Sequence, residues 1–152
     1  MKRHYSLFLL FLSIMLSCTE SKKELETSDA ISVKRTWKLL TGTLIEKGDT
    51  VITDYTTGRS FIKIINDSHF AFLSHTLRKD TTDFSAGGGS YSLTGNNYTE
   101  HLEYCNAKEW EGHDFSFTVT INSDTLIQSG VEKIEAQGIA RINIEKYIRY
   151  KK

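Results

Sequence analysis

Between residues 114 and 121 the chain alternates strictly. Phe115, Phe117, Val119 and Ile121 take every second position, and Asp114, Ser116, Thr118 and Thr120 take the rest. Successive side chains of a strand point to opposite faces, so this segment reads as a β-strand with one buried and one wet face. Tyr91 and Leu93 alternate in the same way with Ser90, Ser92 and Thr94, and Tyr98, Leu102 and Tyr104 share a face with Glu100. Ile142, Ile144 and Ile148 repeat the theme near the end. Further strands are expected over 34–45, 50–56, 59–66, 69–77 and 124–129, with a weaker one over 131–136. Turn residues separate them: Lys47-Gly48-Asp49, Asn66-Asp67, Gly95-Asn96-Asn97, Asn122-Ser123-Asp124 and Gln137-Gly138. The chain contains no proline, which suits a protein built mostly of paired strands. No long helix is expected. The fold class is all-β, and the short connections favour an up-and-down antiparallel barrel of about 8–10 strands over a sandwich.

The N-terminus has a different character. Met1-Lys2-Arg3-His4 is basic, Tyr5 to Leu16 is almost wholly apolar, and Ser17-Cys18 follows. A charged start and a short apolar middle describe a secretory signal, and the apolar run is well short of the ~20 residues that span a bilayer. Met15-Leu16-Ser17-Cys18 resembles a bacterial lipobox, in which the cysteine is acylated and becomes the first mature residue. The resemblance implies a signal peptide over 1–17 and a lipid anchor at Cys18. Thr19 is not the acidic residue that favours inner-membrane retention, so the outer membrane is the expected site. Residues 18–32 are polar and charged and read as a tether, leaving 33–152 as one domain.

Composition narrows the partners. The chain carries 19 basic and 19 acidic residues; with Lys2 and Arg3 removed, 17 against 19 leave a net charge of −2. No basic excess is available to neutralise a phosphate backbone, so nucleic acid is not expected as a partner. Once Cys18 is acylated, Cys105 stands alone, which excludes a disulfide scaffold and reads as a small buried hydrophobe. His101, Glu103 and His113 lack the tight spacing of a metal motif, and no metal or cofactor is expected. Gly87-Gly88-Gly89 is followed by no Lys-Ser/Thr and reads as a barrel-mouth loop or a bulge. The polar stretch from Arg78 to Gly89 would be the gate of any interior. No nucleophile elbow or Ser/His/Asp order stands out, so the chain is not expected to be an enzyme.

Trp37 within Arg35-Thr36-Trp37-Lys38-Leu39 resembles the Gly-x-Trp opening of the lipocalin and calycin superfamily, with Arg35 where the glycine is expected. The Gly87-Gly88-Gly89-x-Tyr91 segment, the Tyr98 to Tyr104 strand and the terminal Glu145-Lys146-Tyr147-Ile148-Arg149 extend the resemblance to bacterial lipocalin-like domains over about residues 33–149. It implies that an arginine near the C-terminal end lies over the first-strand tryptophan and closes the base. Arg149 is the best match, with Arg141 second.

The resemblance also implies one small, largely apolar ligand inside the barrel. The candidate lining is Phe61, Phe70, Phe72, Tyr91, Leu93, Tyr98, Leu102, Tyr104, Phe115 and Phe117, some of which would simply fill the core. Glu100 lies on the same face. A buried carboxylate needs a partner, so it either anchors a polar group of the ligand or meets Lys63 or an arginine inside. The competing expectation is a surface interaction or assembly module whose barrel is filled by its own side chains.

Overall fold

The computed structural model describes residues 32–151. The expected signal peptide, Cys18 and nearly all of the tether lie outside the described residues. Nine strands follow in order: β1 (Arg35–Glu46), β2 (Asp49–Asp54), β3 (Arg59–Ile65), β4 (His69–Thr76), β5 (Phe84–Thr94), β6 (Asn97–Cys105), β7 (His113–Asn122), β8 (Thr125–Ile134) and β9 (Ile139–Arg149). Every pairing is antiparallel.

The first strand closes the barrel. One edge of β1 pairs with β9 from Trp37 to Ile45. Its other edge takes β3 over Arg35–Lys38 and then β2 over Thr41–Glu46. All strands except β2 therefore form a closed eight-stranded up-and-down barrel, and β2 extends its wall as a hairpin flap. The start of β1 and the β3–β4, β5–β6 and β7–β8 turns lie at one end, called the base here. The other connections surround the mouth.

The lower half is packed solid. Trp37 and Tyr147 are fully buried, and Leu39, Ile65, Phe70, Val119 and Leu126 join them in the core. Val33 lies under the barrel, and its carbonyl accepts a hydrogen bond from Trp37 Nε1 at 2.8 Å. Arg149 does sit opposite Trp37 in the β1–β9 register, but it does not cover the indole. Its Nε turns to Asp124 in the β7–β8 turn, 3.0 Å away. A charge-assisted hydrogen bond outbids the ring face for a guanidinium at the last residue of a strand. Arg35, which shares the strand face of Trp37, lies over the ring instead, 5.3 Å from its centroid. Arg141 is near the mouth, far along β9 from this tryptophan.

Three sequence expectations change. Of the two readings of the triple glycine, the bulge holds and the loop does not: it belongs to β5, and the mouth loop is confined to residues 77–83. The glycines sit beside a bulge: Gly88 pairs with Tyr104 and Gly89 with Leu102, leaving Glu103 as the extra residue of β6. A Cβ on Gly89 would meet the His101 carbonyl oxygen at 1.9 Å, and one on Gly88 would meet the Phe70 carbonyl oxygen at 2.5 Å. Only glycine permits strands to approach this closely. The Glu103 carboxylate accepts hydrogen bonds from Ser90 N (3.0 Å) and Oγ (2.6 Å) at the disturbed ladder. Because one added residue reverses parity, Tyr104 points outward and is 68% exposed, while Cys105 turns inward.

Second, β8 is one continuous strand rather than two. Gly130 does not break it, but lies so close to β7 that a Cβ would be 2.2 Å from the Ser116 carbonyl oxygen. Third, Ile142, Ile144 and Ile148 of β9 are on its outer face, with Ile142 exposed, while Asn143 and Tyr147 are buried inside. Pairing of Tyr147 with Leu39 and Leu126 sets that register. By contrast, the parity of β7 is the one read from sequence, with Phe115, Phe117 and Val119 buried.

Gly89→Ala should lower the unfolding free energy by about 1–3 kcal/mol through overpacking against β6. Tyr104→Ser should change it by less than about 0.5 kcal/mol, since the ring stands in water. Denaturant titration of both variants checks the bulge: a large loss from Tyr104→Ser would contradict the outward placement.

Candidate functional site

Above the packed base the barrel holds a cavity of about 280 Å³ that opens toward the mouth. Two aromatic walls face it. On one side Phe61 stacks on Phe72 with centroids 5.8 Å apart, and Tyr55 meets Phe61 edge-on at 5.7 Å. On the other, Trp110, on a single 3₁₀ turn between β6 and β7, contacts Phe115 at 5.7 Å. Phe117 and Leu102 complete that wall.

The floor is polar. Lys63 of β3 is 3% exposed and bonds Glu100 of β6 at 2.6 Å. Its Nζ also donates to Gln128 Oε1 of β8 at 3.3 Å and lies 3.8 Å from Glu145 of β9. The ammonium sits near the Tyr147 ring, 5.5 Å from its centroid. Four strands thus direct one charged layer to the axis. The Tyr147 hydroxyl donates to Glu145 at 2.8 Å. Gln128 is 1% exposed, and its Nε2 has no hydrogen-bond partner among the described residues.

A second charged pair stands nearer the mouth. Arg141 Nε donates to Glu132 at 2.6 Å, directly across the β8–β9 ladder. Asn143 Nδ2 donates to the other oxygen of Glu132 at 2.7 Å. The Arg141 guanidinium also covers Trp110, 4.8 Å from the ring centroid, fixing the indole beside the opening.

Burial dominates the titration of this layer. It pushes the Glu100 carboxyl above its ordinary value, although Lys63 opposes the shift. For Lys63, burial disfavours the charged form, but Glu100 and Glu145 outweigh it and the pKa is raised. The Tyr147 hydroxyl is driven well up by burial and then by Glu145, and the Tyr55 hydroxyl rises for the same two reasons.

Of the expected lining residues, Phe61, Phe72, Glu100, Leu102, Phe115 and Phe117 reach the cavity, and Phe70 and Leu93 do not. Tyr91 and Tyr98 point inward below it, where their rings pack 5.1 Å apart, so they belong to the base and not to the cavity. Tyr104 is outside, for the reason given by the bulge. Glu100 and His101 are neighbours on one strand and therefore face opposite sides; His101 Nδ1 lies 2.8 Å from Asp114 on the surface. Glu103 is occupied by Ser90.

Sequence reasoning missed Gln128, Glu132, Arg141, Asn143 and Glu145 as lining. Leu126 and Tyr147 carry the parity that would have placed these polar residues inward. The isoleucine run on the opposite face of β9 masked it.

Lys63→Met should cost about 3–5 kcal/mol, because it strands buried carboxylates without their cation. Adding Glu100→Gln to that variant should restore part of the loss, and a double-mutant cycle measures the coupling. The raised Glu100 carboxyl also gives a pH signature. Its contribution to stability is fully present below the ordinary value of 4.5 and is lost as pH rises through the higher folded value. Glu100→Gln should flatten that fall when unfolding free energies are compared across this range; an unchanged pH profile would contradict it.

No protein-family model and no curated protein matches the chain.

Proposed function

We propose that this protein is a lipocalin-like envelope lipoprotein, anchored through Cys18, that binds a small organic ligand inside its barrel. The observation that carries the reading is the open upper half of the barrel, where a buried Gln128 amide has an unused donor on the cavity floor. Leaving a buried donor unpaired costs roughly 1–3 kcal/mol, and a ligand oxygen would recover it. The aromatic walls suit an apolar body, bound through burial of its surface at ~25 cal/mol per Å². The cavity lies at the lower edge of the ~300–1,000 Å³ typical of small-molecule sites, so the ligand is compact.

We read the site as a binding site and not a catalytic one: Lys63 is held by Glu100 and Arg141 by Glu132, and Glu100 and His101 face away from each other. The proposed anchor at Cys18 contributes ~0.8 kcal/mol per buried methylene, enough with several acyl chains to hold the domain at a membrane.

Native mass spectrometry of the protein as purified from a bacterial host tests the reading. A discrete added mass that is released on denaturation is the expected result. A bare mass, together with no binding of a panel of small aromatic probes, would overturn it. Cys18→Ser should shift the protein from the membrane to the soluble fraction and remove the diacylglyceryl mass; unchanged partition would remove the anchor.

A further inference from the structure

The charges around the cavity do not balance. Lys63 and Arg141 face Glu100, Glu132 and Glu145. Lys63 is taken by Glu100 and Arg141 by Glu132, each at 2.6 Å. At the rim Arg59 pairs with Asp83, and Lys108 with Glu111. Glu145 is left with a neutral hydroxyl donor, Tyr147, and with Lys63 at 3.8 Å, which already serves Glu100.

We propose that the cavity selects a small organic ammonium, seated on the Glu145 carboxylate, with an apolar body and a nearby oxygen acceptor for Gln128. The inference rests on the ligand-binding reading above and names the ligand class. Glu145 is only 15% exposed, so a cation that reaches it is attracted more strongly than at an open surface. Gln128 is its direct neighbour across the β8–β9 ladder, and the free Nε2 therefore stands beside the proposed seat. This donor cannot serve the ammonium itself, which is why the ligand needs an acceptor close to its nitrogen.

Space and surroundings agree with that chemistry. On the other side of Glu145 the β1–β9 ladder places Gly42, where a Cβ would meet the Tyr55 ring at 3.3 Å. The absent side chain lets Tyr55 lean in beside the carboxylate. Phe61, whose centroid is 6.4 Å from that of Tyr147, lies next to it. Ring faces favour an ammonium as well as an apolar body. An anionic ligand would meet the surplus carboxylate, and a neutral one would leave it without a counter-charge.

Calorimetric titration of the full chain with three probes of one shape tests the inference: phenethylamine, the neutral phenethyl alcohol and the anionic hydrocinnamate. The amine should bind about tenfold or more tightly than the alcohol, and the anion should not saturate. Phenylethanolamine, which adds a hydroxyl beside the ammonium, should bind more tightly still. Glu145→Gln should erase the preference for the amine, and Glu145→Asp should keep it.

Alcohol or anion binding as tightly as the amine would overturn the ammonium assignment and leave the ligand-binding reading standing. Binding of none of the probes would overturn both. A preference that survives Glu145→Gln would overturn the seat. A readout on the unaltered chain guards against a variant that does not fold: nuclear Overhauser contacts from the methylene beside the bound nitrogen should reach Glu145 and Gln128. Contacts to Trp110 alone would place the nitrogen at the mouth and sink the proposal.

Discussion

Everything in this molecule depends on the pairing of β1 with β9. Until those two edges meet, the alternating strands form an open sheet with two faces and no interior. Once they meet, one parity of every strand becomes inside and the other outside. The long first strand makes closure possible because it takes β3 and β2 in succession on its other edge. A bulge at Leu40, where the register with β9 slips by one residue, separates the part of β1 that packs the base from the part that lines the cavity. Trp37 and Leu39 lie below it and Gly42 and Leu44 above.

The interior is then divided by chemistry. Below, Trp37, Phe70, Tyr98, Leu126 and Tyr147 fill the barrel, and this half supplies the apolar burial that stabilises the fold. At mid-height Lys63, Glu100, Gln128 and Glu145 form a polar layer. Such a layer is tolerable because Lys63 holds Glu100 and lies near Glu145, which also accepts a hydrogen bond from Tyr147; an isolated buried charge would not be. Buried ion pairs are weak contributors to net stability. The layer is therefore hard to explain as a stabilising device, and its placement as the floor of a cavity gives it another use. It aims fixed dipoles and charge upward while the aromatic rings above it leave room.

The glycines serve the same end from the wall. Gly87, Gly88 and Gly89 let β4 and β6 crowd against β5, and a Cβ on Gly87 would collide with the Phe72 ring at 2.5 Å. Phe72 can thus lie flat beside Phe61 to form one cavity wall. The neighbouring bulge turns Tyr104 out and Cys105 in. On the mouth side, Arg141 links Glu132 to Trp110, so the second wall is held by a charge pair and a ring contact together.

Much of the architecture was legible in the chain. Alternation, turn residues and the absence of proline determined an all-β chain of short hairpin-linked strands, and the parity of Phe115, Phe117 and Val119 was readable because β7 has no bulge. Glu100 could be recognised as an inward carboxylate that needs a partner, with Lys63 among the choices. Local sequence could not show that one extra residue at Glu103 reverses Tyr104, because a bulge is a relation between two strands. Nor could it show that Ile142, Ile144 and Ile148 face outward, since a strand with apolar residues on one face and charged ones on the other is read as apolar-inward by default. Which arginine covers Trp37 was decided by the distant carboxylate of Asp124. The cavity floor was decided by tertiary structure alone: its members come from β3, β6, β8 and β9, and only barrel closure brings residues so far apart in the chain to one axis.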